Sequence, residues 1–313
     1  MSDTSSQTAF SSAYLAPKYW PTWLLLSMMW SVAHLPFPLQ MRIGRGLGRL
    51  SYLLARQRRH ICEVNLELCF PELSAAERQQ LVKKTFIANG MGLIEIAISW
   101  YRNIEDYRDR VTVTGLENLE KAKAKGKGVL LLCAHFSTLE LGGCLTNMIS
   151  PMDVTYRPNK NQLFQAAMLK GRKRHFPKVL EREDVRGAMR SLKEGRTLWY
   201  APDQDYGLRH SVFVPFFGNE AATITATSRF ARFNNSAVLF YRHYRNADNS
   251  GYHLEFSPEL ENFPSDDDVA DAHRINALVE DAIRKLPDQY LWLHKRFKTQ
   301  AEGVAARPYF KKQ

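Results

Sequence analysis

Hydrophobic and polar positions change period several times along the chain, and each change predicts an element. Residues 19–40 contain no Asp, Glu, Arg or Lys, and residues 22–33 (TWLLLSMMWSVA) are almost wholly apolar. A run without a polar face predicts a helix that is either buried all round or set against lipid. Trp20, Trp23 and Trp30 suit a lipid headgroup boundary. Pro21, Pro36 and Pro38 bracket the segment, so a helix over residues 21–35 rises roughly 22 Å, short of the ~30 Å hydrocarbon core. A single span then needs a thinned bilayer, and a monotopic, half-inserted helix fits at least as well. Residues 1–18 are polar and Ser/Thr-rich and read as a disordered tail, residues 19–40 as a membrane anchor helix, and residues 41–313 as one further domain.

Beyond residue 40 the period of 3.6 predicts helices near 40–58 and 75–100. The second opens with Ser74 and Glu77 in capping-box spacing and carries Leu81, Phe86, Ile87, Leu93, Ile94 and Ile98 on its apolar face. Short β-rich runs follow at residues 111–113, 129–133, 154–156, 197–201, 237–241 and 252–256. Helical patterns lie near 138–149, 161–175, 184–194, 221–233 and 268–286. Strands separated by helices of this length predict an α/β fold with a largely parallel central sheet flanked by helices.

Charge narrows the setting. The 313 residues carry a formal net charge of +11, which calls for a polyanionic partner, nucleic acid or an anionic membrane. Arg42, Arg45, Arg49, Arg56, Arg58 and Arg59 come directly after the apolar run, with no acidic residue before Glu63. That placement favours an anionic membrane, with the rest of the chain on the cytoplasmic face. Zinc pairs, an RNP-type aromatic block and a long basic stripe are all missing, which argues against nucleic acid. The four cysteines, Cys62, Cys69, Cys133 and Cys144, show no metal-ligand spacing and fit reduced thiols.

The candidate chemistry sits in Gly128-Val-Leu-Leu-Leu-Cys-Ala-His135-Phe-Ser-Thr-Leu-Glu140. This is a buried-strand run with a histidine at its end, then Ser137 and Thr138 as helix caps. Five residues apart within one helix, His135 and Glu140 point away from each other. With His135 on the loop before the helix, Glu140 can meet the imidazole, fix its tautomer and stabilise the imidazolium. Spacing alone decides nothing, because His243 and Asp248 share it. His243 precedes a turn-forming cluster and reads as solvated, whereas His135 ends a central strand, where open α/β sheets place ligands. A helix-capping role for His135 is the competing reading. Cys133 shares a strand face with His135 and reads as a packed core thiol.

Several blocks together resemble the late (secondary) acyltransferases of lipid A biosynthesis, relatives of the glycerol-phosphate acyltransferases with a His-x4-Asp/Glu motif. They are Arg58-Arg59 leading to Asn65-Leu66-Glu67-Leu68-Cys69-Phe70-Pro71, then His135 to Glu140, Tyr156-Arg157-Pro158-Asn159, Trp199-Tyr200-Ala201-Pro202-Asp203-Gln204-Asp205-Tyr206-Gly207, and Ser211 to Gly218 followed by Ala222-Thr223. The resemblance covers about residues 20 to 300. It implies a bacterial inner-membrane enzyme that moves a fatty acyl chain from acyl carrier protein, without another cofactor, onto the hydroxyl of an acyl chain on a lipid A precursor. A basic, membrane-docked domain suits an acidic carrier protein and a phosphorylated lipid.

On that implication His135 is the general base and Glu140 orients it. Arg157 serves either as oxyanion donor or as a phosphate ligand. Asp203 and Asp205 bind substrate hydroxyls, hold Arg157 or merely form a turn; the resemblance favours a site wall. Arg174 belongs to a second basic cluster with Arg172, Lys173, Lys178 and Arg182, which holds a phosphate, meets the carrier protein or is solvated. The run from Phe213 to Phe217 lines an acyl pocket or is core. Two rival readings are a phospholipid acyltransferase of the glycerol-phosphate type and a non-enzymatic, membrane-attached binding protein.

Overall fold

The computed structural model describes residues 11–304 and Tyr309. Residues 1–10 of the expected tail lie outside the described residues. Its remainder forms two short 3-10 turns, Ser12–Leu15 and Pro17–Tyr19, pinned by the Trp20 and Trp23 indoles donating to the carbonyls of Leu15 and Tyr14.

Four helices lead the chain: α1 (Trp20–Ala33), α2 (Phe37–Leu54), α3 (Arg56–Cys69) and α4 (Ala75–Tyr101). The expected Ser74–Glu77 capping box starts α4. The single helix expected over 40–58 is broken at Ala55 (φ −85°, ψ 61°), where neither Pro nor Gly marks a stop. The break lets α3 swing onto the body of the protein, where the buried Asn65 donates to the carbonyls of Trp292 and His294, both at 2.7 Å. α2 crosses α4 at Gly44, Gly48 and Gly90. A Cβ on Gly90 would stand 2.3 Å from the backbone nitrogen of Gly48, so the approach of the two backbones requires glycine there.

Among the described residues no helix is long and apolar enough to cross a membrane. The 14 residues of α1 rise about 21 Å. α1 is also one-sided. Leu26 and Ala33 are buried against the protein, while Trp20, Leu24, Leu25, Met28 and Trp30 are exposed. On α2, Leu39, Leu47, Leu50, Leu53 and Leu54 are exposed with Arg42 and Arg49 among them.

The remaining elements in chain order are β1 (Val111–Thr114), α5 (Leu116–Lys123), β2 (Val129–Leu132), α6 (Leu139–Ile149), β3 (Met152–Tyr156), α7 (Gln162–Lys173), β4 (Val179–Glu181), α8 (Val185–Lys193), β5 (Thr197–Tyr200), β6 (Ser211–Phe216), β7 (Asn219–Ile224), α9 (Ala226–Asn234), β8 (Ala237–Arg245), β9 (Tyr252–Glu259) and α10 (Asp268–Lys285). A seven-stranded sheet runs β1-β9-β8-β2-β5-β3-β4. It is parallel except where β9 returns antiparallel to β8, so the expected α/β fold with a largely parallel, helix-flanked sheet is observed. All four residues of β2 are buried, as a central parallel strand covered on both faces demands. Val129, Leu131 and Cys133 pack on the face shared with α4, α6 and α7, and Leu130, Leu132 and Ala134 on the other.

The helix expected over 221–233 begins only at Ala226, because β6 and β7 form a separate hairpin. Its two-residue turn, Phe217-Gly218, has φ of +50° and +70°, the geometry that matches hairpin twist. Val214, Phe216 and Phe217 are buried, with Phe216 against Phe297 and Phe217 against Trp292. This part of the apolar run is core.

Candidate active site

The chain leaves β2, builds β3 and β4 to one side, comes back as β5 beside β2, and later lays β8 on the other flank. The carboxyl ends of β2 and β5 therefore lie side by side at the point where the strand order reverses, the usual place for a ligand crevice. Parallel pairing matches Val129 with Thr197 and Leu132 with Tyr200, an offset that carries past the strand ends to His135 and Asp203.

Asp203 holds His135 twice. One carboxylate oxygen lies 2.7 Å from His135 Nδ1, and the other accepts the His135 backbone N–H at 3.0 Å. The Asp203 side chain is wholly buried. Burial opposes its ionisation, but the charge and hydrogen bonds of His135 outweigh this and keep the carboxyl below the usual range. An acceptor at Nδ1 fixes the neutral imidazole with its proton on Nδ1 and its lone pair on Nε2. The side chain is 23% exposed, and its ring stands edge-on to Trp199.

The expected contact between Glu140 and His135 is replaced by another. Glu140 lies in the first turn of α6 but faces α7 and the end of α4. Arg172 Nε and Nη2 donate to it at 2.8 and 2.6 Å, and Trp100 Nε1 at 3.0 Å. Burial raises its pKa, but the charge and hydrogen bonds of Arg172, then Trp100, more than reverse this and hold Glu140 ionised below its ordinary range. Both oxygens are occupied, so the carboxylate that aligns His135 is Asp203, expected to bind substrate hydroxyls, hold Arg157 or form a turn.

The other candidate residues separate. Arg157 is exposed just past β3. Neither aspartate holds it, because Asp203 takes His135 and Asp205 accepts from the backbone and hydroxyl of Thr299 and the backbone of Gly207. Asp205 thus ties down the loop after β5. Arg174 donates to the Trp100 carbonyl at 2.8 Å. Arg172 turns inward to Glu140, while Lys178 and Arg182 pair with Glu194 and Glu183, so the second basic cluster is not one patch. Cys133 is fully buried, and burial pushes its thiol up, as a core thiol requires.

Residues 289–294 form a wall that the sequence did not announce. Ser137 donates to the Gln289 carbonyl at 2.6 Å, Leu291 donates to the His135 carbonyl at 3.0 Å, and Phe136 bridges Tyr290. In the same segment His294 Nε2 accepts the Asp205 backbone N–H at 3.2 Å. Burial lowers its pKa to about 4, so His294 is neutral with its proton on Nδ1. The backbone N–H groups of His135 and Ser137 are both consumed, so an oxyanion must find its donors elsewhere. His243, expected to be solvated, is buried beneath the site. Its Nδ1 meets the Thr138 hydroxyl at 2.7 Å, and burial, with His135 nearby, lowers its pKa to about 3. A Cβ on Gly142 would stand 2.5 Å from the His243 ring, so α6 is seated directly on it.

A histidine backed by a buried carboxylate, at the mouth of a switch-point crevice, can take a proton from a hydroxyl and return it to a leaving group.

Residues 7–299 match the family described as bacterial lipid A biosynthesis acyltransferase. The chain is 42% identical over 299 residues to the lipid A biosynthesis lauroyltransferase of Escherichia coli (strain K12), covering 95% of this chain and 98% of that protein. It is 39% identical over 301 residues to the lipid A biosynthesis palmitoleoyltransferase of the same organism, covering 96% and 98%. A lipid A biosynthesis acyltransferase of Haemophilus influenzae is 37% identical over 297 residues, covering 94% and 95%. Among solved structures, the 1-acyl-sn-glycerophosphate acyltransferase of Thermotoga maritima superposes with a TM-score of 0.38 at 13% identity, covering 76% of this chain and 98% of that one. That likeness is too slight to carry anything over.

Proposed function

Because the chain belongs to the bacterial lipid A biosynthesis acyltransferase family, we propose that it catalyses a late acylation of a lipid A precursor, from an acyl carrier protein thioester to the hydroxyl of an acyl chain already on the precursor. The observation that carries the reading is the 2.7 Å contact between His135 Nδ1 and the buried Asp203, which leaves Nε2 as a base.

In this mechanism the acceptor hydroxyl gives its proton to His135 Nε2 as its oxygen attacks the thioester carbonyl. Asp203 stabilises the imidazolium and holds the ring in place, a general-base contribution of typically ~10²–10⁴ in rate. The tetrahedral intermediate collapses with cleavage of the C–S bond. The departing thiolate takes the proton from His135, and an ester and a free carrier thiol remain. No covalent acyl-enzyme is needed, since the hydroxyl attacks directly.

The outward faces of α1 and α2 support a monotopic seat on the cytoplasmic leaflet of the inner membrane. Apolar side chains enter the interface, and Arg42 and Arg49 meet anionic headgroups.

The test is to incubate the purified chain with a lipid A precursor and a saturated acyl chain on either acyl carrier protein or coenzyme A, then weigh the lipid. The reading expects a mass gain of one acyl group with the carrier protein as the preferred donor. No gain with either thioester contradicts the transfer, and preference for coenzyme A contradicts the donor.

A further inference from the structure

The sheet divides the surface in two. α1 and α7 pack on one face, through Leu26 and Leu169, whereas α8 and α9 pack on the other, through Leu192 and Phe230. The side that α8 and α9 turn outward is therefore not the one that α1 offers to lipid. On α8, Arg186, Arg190 and Lys193 recur at intervals of four and three and so form one stripe, about 10 Å long. All three are exposed, and so is Arg229 of the neighbouring α9. Among the described residues no side-chain hydrogen bond or ion pair holds any of the four.

The carboxylates near the stripe are engaged elsewhere. Asp184 caps α8 by accepting the Gly187 backbone N–H, Glu183 pairs with Arg182, and Glu194 pairs with Lys178. From residue 221 to residue 247, through α9 and β8, the chain has no Asp or Glu at all. The macrodipole of α8 accounts for Arg190 and Lys193 in its last turn, but it disfavours a cation in the first turn, where Arg186 stands. The stripe also starts at the edge of the site. α8 follows β4 at the carboxyl side of the sheet, where His135 and Asp203 lie, and Arg229 is close enough to Tyr200, the last residue of β5, for its charge to act on the phenol. Leu208, in the loop that carries Asp203 and Asp205, and Val185 at the start of α8 are exposed there.

We propose that the α8–α9 face docks the acidic carrier protein that presents the acyl thioester, its carboxylates on Arg186, Arg190, Lys193 and Arg229 and an apolar contact at Val185 and Leu208, a role that rests on the acyl-transfer reading for the partner's identity. Charge complementarity selects the occupant. An unpaired cationic stripe with little apolar area suits the rim of an acidic protein, where charge governs encounter rate and orientation more than burial does. Docking there brings the donor in from one side of the sheet while the acceptor stays in the leaflet beside α1. The two substrates then meet at His135 without competing for one surface.

The experiment uses the full chain in a nonionic detergent. Binding of fluorescently labelled acyl carrier protein is read by anisotropy. Transfer to a lipid A precursor is read by mass, with the acyl group on either the carrier protein or pantetheine, which bears the same thioester but no protein. Arg186→Glu with Arg190→Glu is expected to weaken carrier binding at least about tenfold and to raise KM for the acylated carrier by a similar factor, with kcat and the pantetheine reaction within about twofold of wild type. Lys121→Glu with Lys127→Glu, the same charge change on exposed residues elsewhere, is expected to leave carrier binding unchanged. Raising salt from about 50 to about 300 mM should weaken wild-type binding more than that of the double arginine variant. Unimpaired carrier binding by the arginine variant, or an equal loss in the lysine variant, overturns the proposal. Loss of vesicle binding in place of carrier binding also overturns it and makes this face a lipid seat. Binding needs no turnover, so a chain that binds the carrier through these arginines but transfers nothing refutes the acyl-transfer reading alone. Transfer with a normal KM by the arginine variant refutes the docking face alone.

Discussion

His135 and Asp203 face each other because β2 and β5 pair in a register that continues beyond both strands, bringing the imidazole Nδ1 to 2.7 Å from a carboxylate with no exposed surface. The sheet sets this distance, not a local turn. Asp203→Asn preserves size and a hydrogen bond but removes the charge that stabilises the imidazolium. It is expected to lower kcat by on the order of 10³-fold with KM little changed. Steady-state kinetics beside a melting curve checks this, and an unaltered kcat in the folded variant removes Asp203 from the mechanism.

Glu140 is expected to act on stability before chemistry. Its partner Arg172 is mostly buried, so Glu140→Ala strands a guanidinium and is expected to cost about 3–5 kcal/mol. The double variant Glu140→Leu with Arg172→Met should recover much of that loss in denaturant unfolding. A stable Glu140→Ala that has lost only turnover returns this carboxylate to the catalytic centre.

Stability should fall on mild acidification. His243 and His294 are held neutral, with folded pKa values near 3 and 4 against an ordinary 6.5. Below pH 6.5 the unfolded chain gains protons that the native chain refuses. Their contribution is therefore complete above pH 6.5 and shrinks as pH falls to about 4 for His294 and about 3 for His243, by up to about 1.4 kcal/mol per pH unit for each histidine. Glu140 and Asp203, whose folded pKa values are lowered, add a further loss below their ordinary range. Unfolding free energies between pH 7 and pH 4.5 test the histidine part. A flat profile there, or an unchanged slope in a folded His243→Asn variant, contradicts it.

Much of this was legible in the sequence, and the limits have physical causes. The all-apolar run before His135 marked a central strand, and Ser74 with Glu77 marked the start of α4, because burial and capping are local signals. The break at Ala55 and the wall at residues 289–294 are set by Asn65 and Gln289 reaching distant backbone groups, and no local pattern records such partners. The place of His135 at a strand end before a helix cap suggested that Glu140 serves it, yet the helix turns Glu140 toward Arg172. The true partner lies 68 positions away and is found only once β5 is known to lie beside β2.

The outward faces of α1 and α2 should govern attachment to lipid. Leu24→Asp with Met28→Asp is expected to release the chain from anionic vesicles. Arg42→Glu with Arg49→Glu should weaken binding by about 1 kcal/mol per lost cation, and more for the reversed charge, at low salt only. Vesicle flotation reads both, and retention of the doubly acidic α1 variant contradicts a monotopic seat on this face.

The most direct test of the central claim is the single-turnover rate of His135→Ala, with the acyl thioester and lipid A precursor both bound and product weighed over time. The variant is expected to fold and to transfer its acyl group about 10²–10⁴-fold more slowly than wild type. A wild-type rate from that variant contradicts the claim.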